Sequence, residues 1–431
     1  MKRVITAGVM AVVAGLMPLQ AADILAGMAS PEVSIVAPDL RSAQKVRQMA
    51  GNSNETLLAA YGALTAYASE TDGVAERTLR EAGWSLERVT TPHARFLVGS
   101  YRNDAELTGM VAIAGTERKV DVSLNLRSDL VPLLGTGEGR VHEGYQRIAE
   151  EVMQSPQVRG LMASHPQRVI VTGHSLGGAV ANMVGVCWAD EGAVTREQLR
   201  IITFAAPDMG DKETLERLGT YPAVNYVMYA DIIPNLIHWL GKGYGANPND
   251  IQWDTHTPPI QLPHAMVRFL DEAWYQSALT FPTSLQVPRT SDVYVAAPEL
   301  AEKMSMSDKL RRAYRAAAIR SVRLPQDAHV YREYRPQGLA EARRQARALG
   351  AKELIWLPLA VHPDKEDPLR TYGLQVSVVR YDVASGEVRS WESRVLTQGR
   401  YTLFPLLHAY LRGALAEPAP VLLSADADRG V

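Results

Sequence analysis

The sequence predicts an α/β protein in two parts: a largely parallel sheet covered by helices on both faces, then a smaller α/β unit. Three observations carry this reading. Between residues 55 and 277, short apolar runs suited to buried strands alternate with helical stretches. At Arg168–Val171 one such run turns abruptly through Gly173, Gly177 and Gly178 into the helical pattern Ala179–Val186. The stretch 278–291, with Pro282 and Pro288, has no period, and beyond it the alternation restarts. The predicted boundaries are a leader at 1–22, a main unit at 23–283, a small unit at 290–416 and a frayed tail at 417–431.

The leader reading rests on a basic Met1-Lys2-Arg3, an apolar Val4–Leu19 and a small-residue signal at Leu19-Gln20-Ala21. Pro18 and the lack of a following stop-transfer pattern favour a removed leader over a retained membrane helix. The expectation is an exported protein, periplasmic or secreted. No Cys follows the cleavage region, which argues against a lipid anchor, and the single Cys187 excludes an intramolecular disulfide. Hydrophobic residues at 46% and charged ones at 21% describe a globular chain.

A net charge of −2 hides an asymmetry. Residues 284–431 hold 22 Lys+Arg against 17 Asp+Glu, a balance of +5; residues 23–283 hold 21 against 30, a balance of −9. Nothing in this pattern points to nucleic acid. The basic second unit is expected to lean on the acidic first one or on an anionic membrane or envelope surface.

Helices are expected at 55–69, 141–153, 176–189 and 265–277, and strands at 95–101, 109–114, 168–171, 200–204 and 224–229. In the second unit, 293–295, 329–334, 353–360, 372–381 and 388–395 read as strands. There 308–322, 339–349 and 403–415 read as helices.

The bend Gly173-His174-Ser175-Leu176-Gly177 has the form of a nucleophile elbow. A hydroxyl is a weak nucleophile until a base takes its proton, and a sharp turn between strand and helix lifts it clear of the sheet. Glycines on both sides leave room for the bend. The helix starting at Leu176 aims free N–H groups at a developing oxyanion. A base and a carboxylate should follow on loops after later strands. Asp231 directly follows the strand 224–229; Asp208 also follows a strand but reads as a turn cap. His264, just before a helix, is preferred as base over His256, in a polar loop, and over His238, flanked by Ile237 and Trp239. His174 reads as packing or hydrogen-bonding support. The oxyanion donors expected are the N–H of Leu176 and Thr116, in the loop after 109–114.

The succession Gly115-Thr116 with Asp121 and Asn125-Leu126, Val141-His142-Glu143-Gly144-Tyr145, Gly173–Ala179, Thr203–Pro207, and Val224-Asn225 leading to Asp231–Pro234 resembles the class 3 lipases, the fungal triacylglycerol lipase-like family of α/β-hydrolases. The resemblance covers roughly 55–275. It implies a Ser175-Asp231-His264 triad, an oxyanion hole of Thr116 and Leu176, no metal or cofactor, and a carboxylic ester substrate, often acylglycerol or phospholipid. It also implies a lid over Glu117–Gly139, where Val120, Val122, Leu124, Leu126, Leu130, Val131, Leu133 and Leu134 would face acyl chains; a packed crossover fits the same residues. The chain departs from the family pattern at Ala114, where an arginine is common, at Val267, where an aromatic is common, and in the short interval from Asp231 to His264. Non-lipid acyl esters, or a non-catalytic envelope scaffold with this fold, are the other readings. In the second unit, Ala348-Leu-Gly-Ala-Lys352 and Asp382-Val-Ala-Ser-Gly-Glu387 are similar to the small α/β domains of bacterial envelope proteins of the TolB N-terminal and lipoprotein-activator type, which makes binding an envelope partner its default role.

Overall fold

The computed structural model describes residues 53–103, 106–116, 129–134, 138–234, 243–254, 256, 263–280, 290–302, 306–324, 328–363, 372–399, 401–413 and 415. The leader, His238 and most of the expected lid lie outside the described residues.

The described residues open with α1 (Ser53–Thr65) and α2 (Val74–Glu81), then the antiparallel strands β1 (Ser85–Thr90), β2 (Arg95–Arg102) and β3 (Leu107–Ile113). The short pair β4 (Leu130–Pro132) and β5 (Arg140–His142) precedes α3 (Glu143–Gln154) and α4 (Pro156–Ala163). There follow β6 (Arg168–His174), α5 (Leu176–Asp190), β7 (Leu199–Phe204), α6 (Lys212–Leu218), β8 (Ala223–Met228), β9 (Asp250–Trp253) and α7 (Met266–Leu279). The first sheet runs β1-β2-β3-β6-β7-β8-β9 and is parallel from β3 onward, the mostly parallel sheet predicted from the alternating pattern. Its register sets Ile113 beside Gly173 and His174 beside Phe204, so these strands end together at one edge. α5 is buried continuously from Leu176 to Trp188. A helix so thoroughly apolar belongs between the sheet and an outer layer, here α3.

The second sheet is built from β10 (Val293–Ala296), β11 (Ala301–Glu302), β12 (Val330–Arg332), β13 (Glu353–Trp356), β14 (Leu359–Pro363), β15 (Tyr372–Asp382) and β16 (Val388–Thr397), with helices α8 (Asp308–Ser321), α9 (Leu339–Ala348) and α10 (Leu403–Arg412). The single strand expected over 353–360 is two. β13 and β14 both run antiparallel to β15 along one flank, with a break at Leu357-Pro358. Proline has no N–H to give a ladder, while the Pro358 carbonyl still accepts from the Ser377 N–H at 3.0 Å. β16 covers the other flank of β15.

Contact between the two sheets is mainly apolar. α8 and α10 pack on α7, and one continuous core joins Tyr61, Phe269 and Trp274 to Tyr314, Leu374, Phe404 and Leu407. Trp274 donates its indole N–H to the Tyr61 hydroxyl at 2.9 Å, and its ring lies 4.8 Å from that of His408 on α10. Two polar ties flank this core: Arg320 to the Asn54 side chain at 2.8 Å, and the Tyr401 hydroxyl to the Glu70 carboxylate.

Candidate active site

The site is assembled where β3, β6, β7 and β8 end. Leaving β6, the chain passes through Ser175 at φ 57°, ψ −131°, a conformation that a side chain rarely adopts. Backbone bonds on each side hold it there: Ser175 N–H donates to the Phe204 carbonyl at 2.9 Å, and its own carbonyl accepts from Gly178 and Ala179. The bend brings the start of α5 against β3 so closely that a Cβ on Gly177 would stand 2.2 Å from the Ile113 carbonyl oxygen. Glycine is required there by contact with backbone, which cannot give way.

His264 precedes α7, and its ring lies between the other two candidates. Ser175 Oγ is 2.9 Å from His264 Nε2, and His264 Nδ1 is 2.7 Å from Asp231 Oδ2. The carboxylate side chain is 1% exposed and the imidazole 19%. Asp231 Oδ1 accepts the Ile233 N–H at 3.0 Å, so both carboxylate oxygens are occupied and the carboxylate is fixed. With Asp231 accepting at Nδ1–H, Nε2 presents its lone pair to the serine hydroxyl, the tautomer that proton abstraction requires.

Thr116, part-exposed, follows Gly115, and a Cβ on Gly115 would lie 3.3 Å from Ser175 Cβ and 2.8 Å from the His174 carbonyl oxygen. The loop after β3 therefore passes directly over the serine. Leu176, at the first position of α5, is buried beside it. The structure thus brings Ser175, His264, Asp231, Leu176 and the Gly115-Thr116 loop to one place.

The other candidates lie elsewhere in the fold. Asp208 Oδ1 accepts the Asn247 N–H at 2.8 Å and so fixes the segment leading to β9. His256 sits 3.0 Å from both Glu272 oxygens and stacks on Tyr275 at 4.1 Å. Glu272 raises its pKa, chiefly by that hydrogen bond. Of the expected lid, the described end is packed: β4 pairs with β5, and Leu133 is buried in the core beneath α3.

His174 has a more specific role than sequence reasoning gave it. Its Nε2 lies 2.7 Å from the backbone carbonyl of His264, and its Nδ1 lies 2.6 Å from the Tyr67 hydroxyl. Burial, and after it the neighbouring His264, hold its pKa well below the ordinary imidazole value. The ring is therefore neutral, with Nε2–H donating to the carbonyl and Nδ1 accepting from Tyr67. Arg88 in turn donates to the Tyr67 carbonyl at 3.1 Å and pairs with Glu76 at 2.7 Å. The signal for this linkage lay only in the adjacency of His174 to Ser175; Tyr67, 107 residues earlier, gave none.

Residues 110–240 match the family model described as lipase (class 3). Over 146 residues the chain is 32% identical to a lipase of Rhizopus niveus and equally to one of Rhizopus oryzae, covering 31% of this chain and 36% of each relative. The chain thus spans little more than a third of the curated relatives it matches. Among solved structures it is similar to a lipase of Rhizopus microsporus var. chinensis (24% identity, 45% of this chain and 69% of that one, TM-score 0.34). It is also similar to the Lip2 lipase of Yarrowia lipolytica (17% identity, 51% and 82%, TM-score 0.39).

Proposed function

We propose that this chain is a serine hydrolase cleaving carboxylic esters of lipids, a reading that the match of residues 110–240 to the lipase (class 3) model supports. The observation that carries the proposal is the unbroken hydrogen-bond chain Ser175–His264–Asp231 at a strained strand-to-helix turn.

In this mechanism His264 Nε2 accepts the Ser175 proton as Oγ attacks the ester carbonyl. Asp231 holds the tautomer and stabilises the imidazolium that results. Negative charge gathers on the former carbonyl oxygen, where the Leu176 N–H and the N–H and hydroxyl of Thr116 act as donors, aided by the positive end of α5. Collapse expels the alcohol, which takes the proton back from His264. Water, deprotonated by the same imidazole, then releases the acid and restores Ser175. Donors fixed by the fold in this way would need no reorganisation at the moment of reaction, the source of such a site's advantage over water.

Acylglycerols or phospholipids are the substrates proposed within this class. The exposed Tyr229, two residues before Asp231, supports an apolar surface at the rim. Fluorophosphonate labelling followed by peptide mass spectrometry tests the nucleophile, with Ser175 as the modified residue. A chain-length series of nitrophenyl esters, with and without micelles, tests the lipid preference. Labelling elsewhere, or equal turnover of acetyl and long-chain esters regardless of micelles, would overturn the corresponding half.

A further inference from the structure

β16 is a ten-residue edge strand whose only strand neighbour among the described residues is β15. Edge strands usually guard their open backbone with charged side chains, prolines, bulges or short length. This one has an irregularity at Arg389, yet beyond it the strand is long, free of proline, and sets exposed apolar side chains among its charges. Trp391 is 64% exposed and Val395 53%, on the sheet face opposite to Leu396, which enters the core beside Leu374. Glu392 and Arg394 lie on the same side as Leu396, with the Arg394 guanidinium 5.9 Å from the Tyr410 ring of α10.

These four residues are symmetric about Ser393. We infer that two copies of the chain associate through β16, antiparallel, across a two-fold axis at Ser393. In that register Trp391 of each copy faces Val395 of the other on the open face. Glu392 of each faces Arg394 of the other on the helix-bearing face. Every contact therefore occurs twice, as an isologous interface requires, and opposite charges meet where moving the axis to residue 392 or 394, a two-residue change of register, would set like charges opposite one another. The unused N–H and C=O groups of both edges pair in the same step, joining two sheets into one.

The register makes a covalent prediction. Residues on the axis of an antiparallel pair have Cα atoms about 4.5–5.5 Å apart, within disulfide reach. Full-length Ser393→Cys should form a disulfide-linked dimer under mild oxidation, while Ser385→Cys, in the exposed β15–β16 turn, should not; the native Cys187 is buried. In sedimentation analysis the unmodified chain should run as a concentration-dependent dimer. Glu392→Arg should weaken it about tenfold, and adding Arg394→Glu should return it to within about threefold of the original. Hydrogen exchange should show β16 amides gaining protection as the dimer fills. A chain still monomeric at about 100 µM, equal cross-linking at both cysteines, or dimers indifferent to Glu392→Arg would overturn the inference. Vesicle binding through Trp391 by a monomeric chain would do so as well, pointing to lipid contact.

Discussion

The two sheets are built from similar parts and carry different duties. Both have seven strands, both contain parallel pairs, and both bury helices on their faces. In the first, the loops at the shared strand ends hold Ser175, Asp231 and His264 within hydrogen-bond reach of one another. In the second, buried titratable groups are tied into structure, His408 against Ser321 at 2.8 Å and Tyr314 against Tyr372 at 3.0 Å. What separates them is the backbone. Among the described residues, only the first sheet bends a strand into a helix through a left-handed serine, and that costly geometry turns a hydroxyl toward an imidazole. The second sheet supports α7, the helix that His264 introduces.

The sharpest way to break this comparison is Ser175→Ala. Ester turnover should fall by about a millionfold, to the level left by the oxyanion donors, while thermal unfolding stays nearly unchanged. Turnover retained in that variant would remove the chemistry from the first sheet.

The second sheet's share is tested by Phe404→Ala on α10. This ring is fully buried and stacks on Tyr314 at 4.2 Å. Its loss should cost about 3–5 kcal/mol in chemical denaturation. A single transition that shifts as a whole would show one cooperative unit; loss of the second sheet alone, with activity intact, would show two.

His408 provides the pH test. Burial, before the nearby Arg412 and Arg320, lowers its pKa to about 3. An unfolded histidine binds a proton below about 6.5, and the folded one does not until about pH 3. Its contribution to stability is therefore full above pH 6.5 and is lost progressively as pH falls from there toward 3. The slope of stability against pH in that window should drop by up to about 1.4 kcal/mol per unit in His408→Gln. An unchanged slope would mean that His408 is not the group excluded from protonation.

The smallest effect belongs to Tyr67→Phe, which removes the hydroxyl partner of His174 Nδ1. Because His174 acts through the backbone of His264, kcat should fall about tenfold with little change in KM. A change confined to KM would place Tyr67 in substrate binding instead.

Much of the site was legible because its chemistry requires special residues. A left-handed serine between two backbones leaves glycine no substitute at 177, and a base and an acid must follow in chain order. The sheet was less so. β1, with Ser85-Leu-Glu-Arg-Val-Thr90, has weak alternation and exists because β2 offers it an edge. β9 is only four residues long. Leu357-Pro358 sits inside an apolar run that reads as one strand until the proline's missing N–H is set against the ladder. Least visible was the shared core, because side chains from α1, α7, α8 and α10 meet across hundreds of residues, and no local period records that.

That shared core dictates when the molecule becomes stable. As the polypeptide is made, α7 is complete about 30 residues before α8 begins and about 120 before α10, so the face it turns to them is covered in two steps, the second only near the end of the chain. The half bearing Ser175, Asp231 and His264 thus gains its full cover only once the last helix docks. A premature stop or an early nick in the second half should yield material that chaperones hold and proteases clear, rather than a smaller working enzyme.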